Sequence, residues 1–431
     1  MKIKLIALFL TSLMLLSCFA ACAQNDNTQT DKSDNNDDAV IKKEIDAEYV
    51  IVRANSADEL TIQAAMLLRK LINEKAALEV SIKTDFLPND EKASEKEIIL
   101  GETNRETEFD RTTLAKDQYY VGLEGSKVII DAYDSLTLYL AVSQIVDKWL
   151  ELGEGEFTLD KNIISGIGAS IDTESQKLKI MSQNMRYADD GNGNNIMDRA
   201  PRFKQLVEMY QPDIIGTQET TAKWNNYFRR YFKDTYGMVG CSRDGRNAST
   251  GEWGTILYRL DRFELLDSDD FWLTKTPGKV SRVAGANCNR ICTWALLKDK
   301  NTGETFVMAN THLDHSTNEV RVQQLGYLFA GLSELIEKYP IYITGDYNAT
   351  PTSDVYKMAV ETLLDSHVES LENKSDISHT FDSYGAIKNG SRIDYCFYND
   401  RSIALWYKIL NEQFNGYVSD HYGIITEFII K

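Results

Sequence analysis

Residues 341–351, IYITGDYNATP, set what the second half of this chain is organised around. Ile341, Tyr342, Ile343 and Thr344 read as a buried strand, which Gly345 breaks. Asp346 and Asn348 follow, and in extended backbone residues two apart point to the same side. A carboxylate and a carboxamide then leave one strand end together, where a rigid scaffold commonly displays catalytic groups. Gly-Asp-x-Asn also makes an ordinary turn, in which Asp and Asn bond their own backbone. The stretch alone fits both readings.

The same design recurs through residues 175–431. The strand at 178–184 ends at Asn184 and the one at 214–219 ends at Glu219. Glu252 precedes a strand at 254–258, Arg290 precedes one at 291–297, and the strand at 305–311 ends at His312. Asp394 lies in the strand at 393–397, and Asp420-His421 stand before the last strand, 424–430. Between them, residues 199–211 read as an amphipathic helix through Phe203, Leu206, Val207 and Tyr210. A single polar strand end is ordinarily a solvated edge residue. A succession of them, all of types that bind metal or move protons, points to one site.

The N-terminus reads as an export signal. Lys2 and Lys4 precede an apolar run at 5–16, too short to span a membrane, and small residues follow. LLSC and FAAC, ending at Cys18 and Cys22, both resemble bacterial lipoprotein processing sites. Cys22 is preferred because the polar tract starts directly after it. Residues 1–21 are then a lipoprotein signal peptide, and the mature protein is exported and held through a lipid anchor on the outer face of a bacterial membrane. The alternative is a plain secretory peptide with chance cysteines. Residues 22–40, rich in Asn, Asp, Thr, Gln and Ser, are expected to be a disordered linker. Of the remaining cysteines, Cys288 and Cys292 are candidates for oxidation in an exported protein; free thiols are the alternative.

Residues 41–170 form a separate unit in this reading. A strand at 48–54 precedes a helix capped by Asp58 whose Leu60, Ala64, Leu67, Leu68, Leu71 and Ile72 share one face. Short strands follow at 80–82 and 98–100. Glu124-Gly125-Ser126 joins two runs as a hairpin, and a second apolar helix starts at Ser135. The expected fold is a small α/β sandwich with no catalytic cluster. Its first strand and helix, the IILG strand, and YYVGLEGSKVIIDAYDSLTLYLAVSQIVDKWLELG resemble the small auxiliary domain that precedes the catalytic domain in some exported glycoside hydrolases. That resemblance implies a packing or spacer role.

The motifs of the second domain, SQNMR, IIGTQE, STGEWGTILYR, NRICTWALL, NTHLDH, ITGDYNATP, RIDYCFY and SDHYGI, resemble the endonuclease/exonuclease/phosphatase superfamily in kind and in order. Its members include pancreatic-type deoxyribonucleases, abasic-site endonucleases, bacterial sphingomyelinases, inositol-phosphate phosphatases and deadenylase-like enzymes. The resemblance implies an α/β (α+β) chain whose C-terminal domain is a four-layer αββα sandwich. It also implies roles. Glu219 is the principal ligand for Mg²⁺ or Mn²⁺, with Asn184 beside it and Asp420 contributing. His421 faces the phosphate and Asp394 orients it. Asp346 sits at the attacking water and Asn348 holds a phosphate oxygen, with base duty open between Asp346 and His421. His312 serves the leaving group or the phosphate, partnered by Glu252, and Arg290 faces the phosphate. Arg186 and Tyr187 stand where some abasic-site enzymes carry an Asp, which argues against a second metal site.

Composition orders the substrate classes. The net charge is −18 and the pI about 4.8, with no dense Lys/Arg run. A nucleic-acid binder normally presents a basic surface. The expected activity is therefore a metal-dependent phosphoesterase acting on a small, lipid- or sugar-linked phosphate mono- or diester. A surface nuclease for DNA or RNA is less favoured; Arg243 and Arg246, in the loop at 241–251, are its best support. A non-enzymatic binding protein on the same fold is the third reading, opposed by the full set of reactive residues.

Overall fold

The computed structural model describes residues 41–431 apart from residue 45 and residues 89–90, 150–155 and 160–169. The signal peptide, Cys22 and the linker lie outside the described residues.

A five-stranded sheet comes first. Its order is Ser81–Thr84, Val50–Arg53, Glu97–Leu100, Lys127–Ala132, Tyr119–Glu124. The first four strands are parallel and the last is antiparallel. Asp58 accepts the Thr61 N–H at 2.9 Å and so caps the helix Glu59–Ala76. That helix and Ser135–Trp149 bury Ala64, Leu68, Ile72, Leu138 and Val142 against Ile51, Ile98, Leu100, Val128 and Ile130 of the sheet. The expected hairpin forms, with Glu124 opposite Lys127 and Gly125 at φ +63 in the turn. Ile403 and Ile429, from far along the chain, join the same core.

Beside a two-stranded sheet pairing Ile41–Glu44 with Glu156–Leu159, two larger sheets carry the rest. One has seven strands in the order Tyr236–Val239, Trp253–Arg259, Ile214–Thr220, Leu178–Asn184, Gly423–Ile430, Ser402–Leu410, Glu372–Asn373. The other has six, in the order Phe263–Trp272, Ile291–Asp299, Thr305–His312, Ile341–Asp346, Asp394–Tyr398, Leu364–Asp365. Alternate residues face inward, so Leu178, Ile180, Ile214 and Ile256 meet Ala295, Leu297, Phe306, Met308 and Tyr342 in one core. Tyr342 and Phe428 close the gap between the sheets, ring centroids 4.7 Å apart. Helices Ile196–Tyr210 and Ala222–Tyr231 cover the outer face of the seven-stranded sheet. Asn318–Lys338 and Asp354–Val360 cover the six-stranded one. The result is the four-layer αββα sandwich expected from the motifs.

Two local expectations are corrected, and one strand carries no sequence signal. Gly345 does not break its strand, which runs to Asp346 with Gly345 paired to both Thr311 and Tyr395. A Cβ at Gly345 would stand 2.6 Å from the Thr311 carbonyl oxygen, so the glycine permits close strand approach. The helix expected from 199 starts at Ile196, because Asn195 and Asp198 form a capping box. The strand Phe263–Trp272 escapes a reading by alternation because its register shifts between Leu265 and Asp267 and most of its early residues are solvated. Cys241, Cys288, Cys292 and Cys396 are all free thiols, three buried and Cys288 half-buried.

Candidate active site

The polar strand ends meet in a cleft of about 490 Å³ at one end of the sandwich. Glu219, Glu252, Arg290, His312, Asp346, Asn348, Asp420 and His421 all line it. Asn184 and Asp394 are fully buried behind the lining residues they contact.

Asp346 is the hub. Its Oδ1 accepts the Asn348 N–H at 2.8 Å and its Oδ2 accepts the Asn184 carboxamide at 3.0 Å. His312 Nε2 and His421 Nε2 stand 3.4 and 3.8 Å from the same Oδ2. Burial and the neighbouring Asp394 charge push its carboxyl up to about 7, against the pull of His421. Asn348 is left-handed, at φ +48, which turns its side chain into the cleft. Its Nδ2 donates to the Leu313 carbonyl and to His312 Nε2, both at 3.1 Å. His312 therefore carries its proton on Nδ1, a buried atom with no hydrogen-bond partner. Burial, with Arg290 and Arg243 nearby, holds this imidazole neutral, well below its ordinary pKa.

His421 is the opposite case. Its Nδ1 donates to Asp394 Oδ2 at 2.9 Å. Burial alone would favour the neutral ring, but Asp394, Asp346 and Asp420 outweigh it and raise the pKa to about 10. The Phe381 ring packs 4.8 Å from the imidazole.

Beside Asp346, Glu219 Oε1 accepts the Asn184 carboxamide at 3.1 Å and Oε2 accepts the Tyr187 N–H at 3.0 Å. Glu219 has φ +54, a left-handed conformation uncommon for a non-glycine residue and a mark of functional sites. The Asn184 oxygen accepts the Arg186 N–H at 2.9 Å, so the amide presents its nitrogen to both carboxylates. Asp420 accepts from Ser419 Oγ at 3.1 Å and lies 3.6 Å from Arg186 Nε. Burial raises its carboxyl, and Glu219 adds to the shift. Glu219, His312 and Asp346 offer ligand atoms within 4.8 Å of one another. The Glu219 charge raises the carboxyls of both Asp346 and Asp420, and carboxylates converging in this way fit a hard divalent cation.

Glu252 bonds Arg243 at 2.7 Å and makes no bond to His312. Arg290 is buried, with Nε 3.5 Å from Asp314 and Nη2 3.4 Å from His315. Arg186, Tyr187, Arg243 and Phe381 also line the cleft, beyond the residues assigned from the motifs. Arg186 was flagged only by the carboxylate it replaces. Phe381 sits in a loop without periodicity and gave no signal.

An αββα sandwich with acidic and histidine side chains gathered at its strand ends defines a class, and the comparisons agree with it. The chain belongs to the endonuclease/exonuclease/phosphatase family, whose model matches residues 181–421. Nocturnin from Rattus norvegicus is 26% identical over 244 residues, 51% of this chain and 55% of that protein. RNA exonuclease NGL1 from Saccharomyces cerevisiae is 26% identical over 200 residues, 35% of this chain and 54% of that protein. The chain thus spans about half the length of the curated relatives it matches. Among solved structures, a mannosyl-6-phosphatase from Bacteroides thetaiotaomicron is similar at 29% identity and a TM-score of 0.56, over 59% of this chain and 100% of that one.

Proposed function

We propose that this chain is an exported, divalent-metal-dependent phosphoesterase that hydrolyses a small sugar- or lipid-linked phosphate ester. The observation that carries the choice of substrate is the pairing of the cleft's arginines. Arg243 is held by Glu252 at 2.7 Å, Arg186 by Asp190 at 2.9 Å, and Arg290 stands 3.5 Å from Asp314. On the flanking loop Arg246 is spent on Asp269 at 2.6 Å, and Lys223, in the helix Ala222–Tyr231, on Asp189. A polyanionic strand needs a run of uncommitted cations along its backbone. One phosphate in a compact cleft does not. The similarity to a mannosyl-6-phosphatase supports the same choice.

In this proposal Glu219 holds Mg²⁺ or Mn²⁺ with Asp420 and, with its amide turned over, Asn184. The cation, when bound, neutralises charge on the phosphate oxygens. Asp346 takes a proton from the attacking water as the water oxygen bonds phosphorus and the ester P–O bond breaks, and the leaving oxygen takes up a proton from solvent. Asp394 on Nδ1 keeps His421 in the imidazolium form, so Nε2–H supplies a donor to the phosphoryl group. Arg290 faces the phosphate oxygens, Asn348 reaches one by giving up its bond to His312 Nε2, and His312 stands on the leaving-group side. Export and the anchor at Cys22 rest on the N-terminal sequence, and residues 41–170 serve a packing or spacer role.

A surface nuclease is the second reading, favoured by the yeast RNA exonuclease among the relatives. Rates on mannose 6-phosphate, p-nitrophenyl phosphate, bis-p-nitrophenyl phosphate, sphingomyelin and single-stranded RNA, with Mg²⁺, decide between them. The proposal expects a small ester to be hydrolysed fastest. RNA shortened faster than every small ester would overturn it.

A further inference from the structure

Arg199 is fully buried, and no carboxylate is among its hydrogen-bond or ion-pair partners in the described residues. A buried cation without a bonded counter-ion is expensive unless its N–H groups find acceptors. Here the acceptors are backbone carbonyls of one loop. The guanidinium donates to Met185, to Arg186 at 3.0 Å, to Ala188 at 2.7 Å and to Asn194 at 2.8 Å. The Trp224 ring lies against it, 5.3 Å away, and Trp224 Nε1 donates to the Arg186 carbonyl at 3.2 Å. Arg199 does not line the cleft.

The loop it holds touches each group assigned above to the cation. The Arg186 N–H bonds Asn184 and the Tyr187 N–H bonds Glu219. The Arg186 side chain, tied to Asp190 by two hydrogen bonds of 3.0 and 2.9 Å, reaches toward Asp420. Arg186 itself is left-handed, at φ +53, a conformation that surrounding bonds must hold.

We infer that Arg199 is a positioning residue. By clamping the carbonyls of Met185, Arg186 and Ala188 it aims the next N–H groups at Asn184 and Glu219 and sets the cation end of the cleft. Lysine cannot replace it, because one ammonium cannot span four carbonyls arranged around a planar fork. The inference rests on the proposed function, since it assumes that Asn184 and Glu219 serve a cation.

The test uses the full chain with R199K, R199Q and the milder W224F, which removes the indole donor to Arg186 and trims the ring packed on Arg199. Calorimetric titration reads Mg²⁺ and Mn²⁺ affinity, and hydrogen exchange of the metal-free protein reads the segment 185–194. We expect R199K and R199Q to bind the cation about tenfold or more weakly, as loss of a residue that supports metal ligands typically does. Exchange should rise in 185–194 and not around Asp394 and His421, and W224F should lie between. Substrate KM at saturating metal should stay unchanged. Affinity and local exchange within twofold of wild type in R199K and W224F would overturn the inference, as would exchange that rises equally across the chain. Where R199Q does not fold, W224F decides. A wild type that binds neither cation would instead defeat the functional reading, and this inference with it.

Discussion

Asp394 Oδ2 lies 2.9 Å from His421 Nδ1, with both side chains buried and His421 Nε2 turned toward Asp346. The carboxylate fixes the tautomer and stabilises the charged ring. D394N would keep the shape and remove that charge. Its kcat should fall by about 10²–10⁴-fold, the usual worth of a general acid or base, with KM little changed. Because the two residues act as one unit, the D394N/H421A double variant should be no worse than H421A alone. Steady-state kinetics on the preferred ester checks both statements.

Gly345 lets two chemistry-bearing strands approach closely in parallel register, His312 opposite Asp346. With a Cβ 2.6 Å from the Thr311 oxygen, G345A has to push these strands apart. Overpacking of this kind costs about 1–3 kcal/mol, visible as a lower urea midpoint at unchanged slope. Activity at temperatures where the variant is folded should fall too, since the displaced pair is His312 and Asp346.

Asp131, outside the cleft, gives a pH dependence with a definite sign. Burial pushes its carboxyl up to about 6, only partly offset by Arg111 at 3.2 Å. A raised folded-state pKa means that protonation favours the native state. Its stabilising contribution is complete below the unfolded value near 3.8 and is lost as pH rises through about 6. The shift of roughly two pKa units corresponds to about 3 kcal/mol. D131N should therefore match wild type near pH 4 and exceed it in stability by pH 7, measured by urea denaturation across that range.

Asp346 and Asn348 show how much of the site the sequence carries. Read as an extended pair, they were expected to point together into a site; read as a turn, to bond their own backbone. Both hold. Asp346 accepts the Asn348 N–H at 2.8 Å, and the left-handed Asn348 still lines the cleft. Strand-end residues such as Glu219, His312 and His421 are legible because short apolar runs deliver a polar terminus to a sheet edge. Glu252 is different: its Arg243 partner lies across a loop, and no periodicity sets loop conformation. Arg199 read only as the opening of an amphipathic helix. Its role depends on where the 185–194 backbone folds back, which local sequence does not encode.

The central claim is hydrolysis at Glu219 and His421 with a divalent cation. The most direct measurement is the rate of hydrolysis of the preferred small ester against Mg²⁺ concentration for wild type, E219A and H421A. The account predicts a wild-type rate that saturates with Mg²⁺, stops with EDTA and returns when Mg²⁺ is restored. E219A should stay inactive at metal concentrations that saturate wild type, and H421A should bind the cation yet fail to turn over. Turnover that ignores EDTA, or an E219A variant running at the wild-type rate, would contradict it.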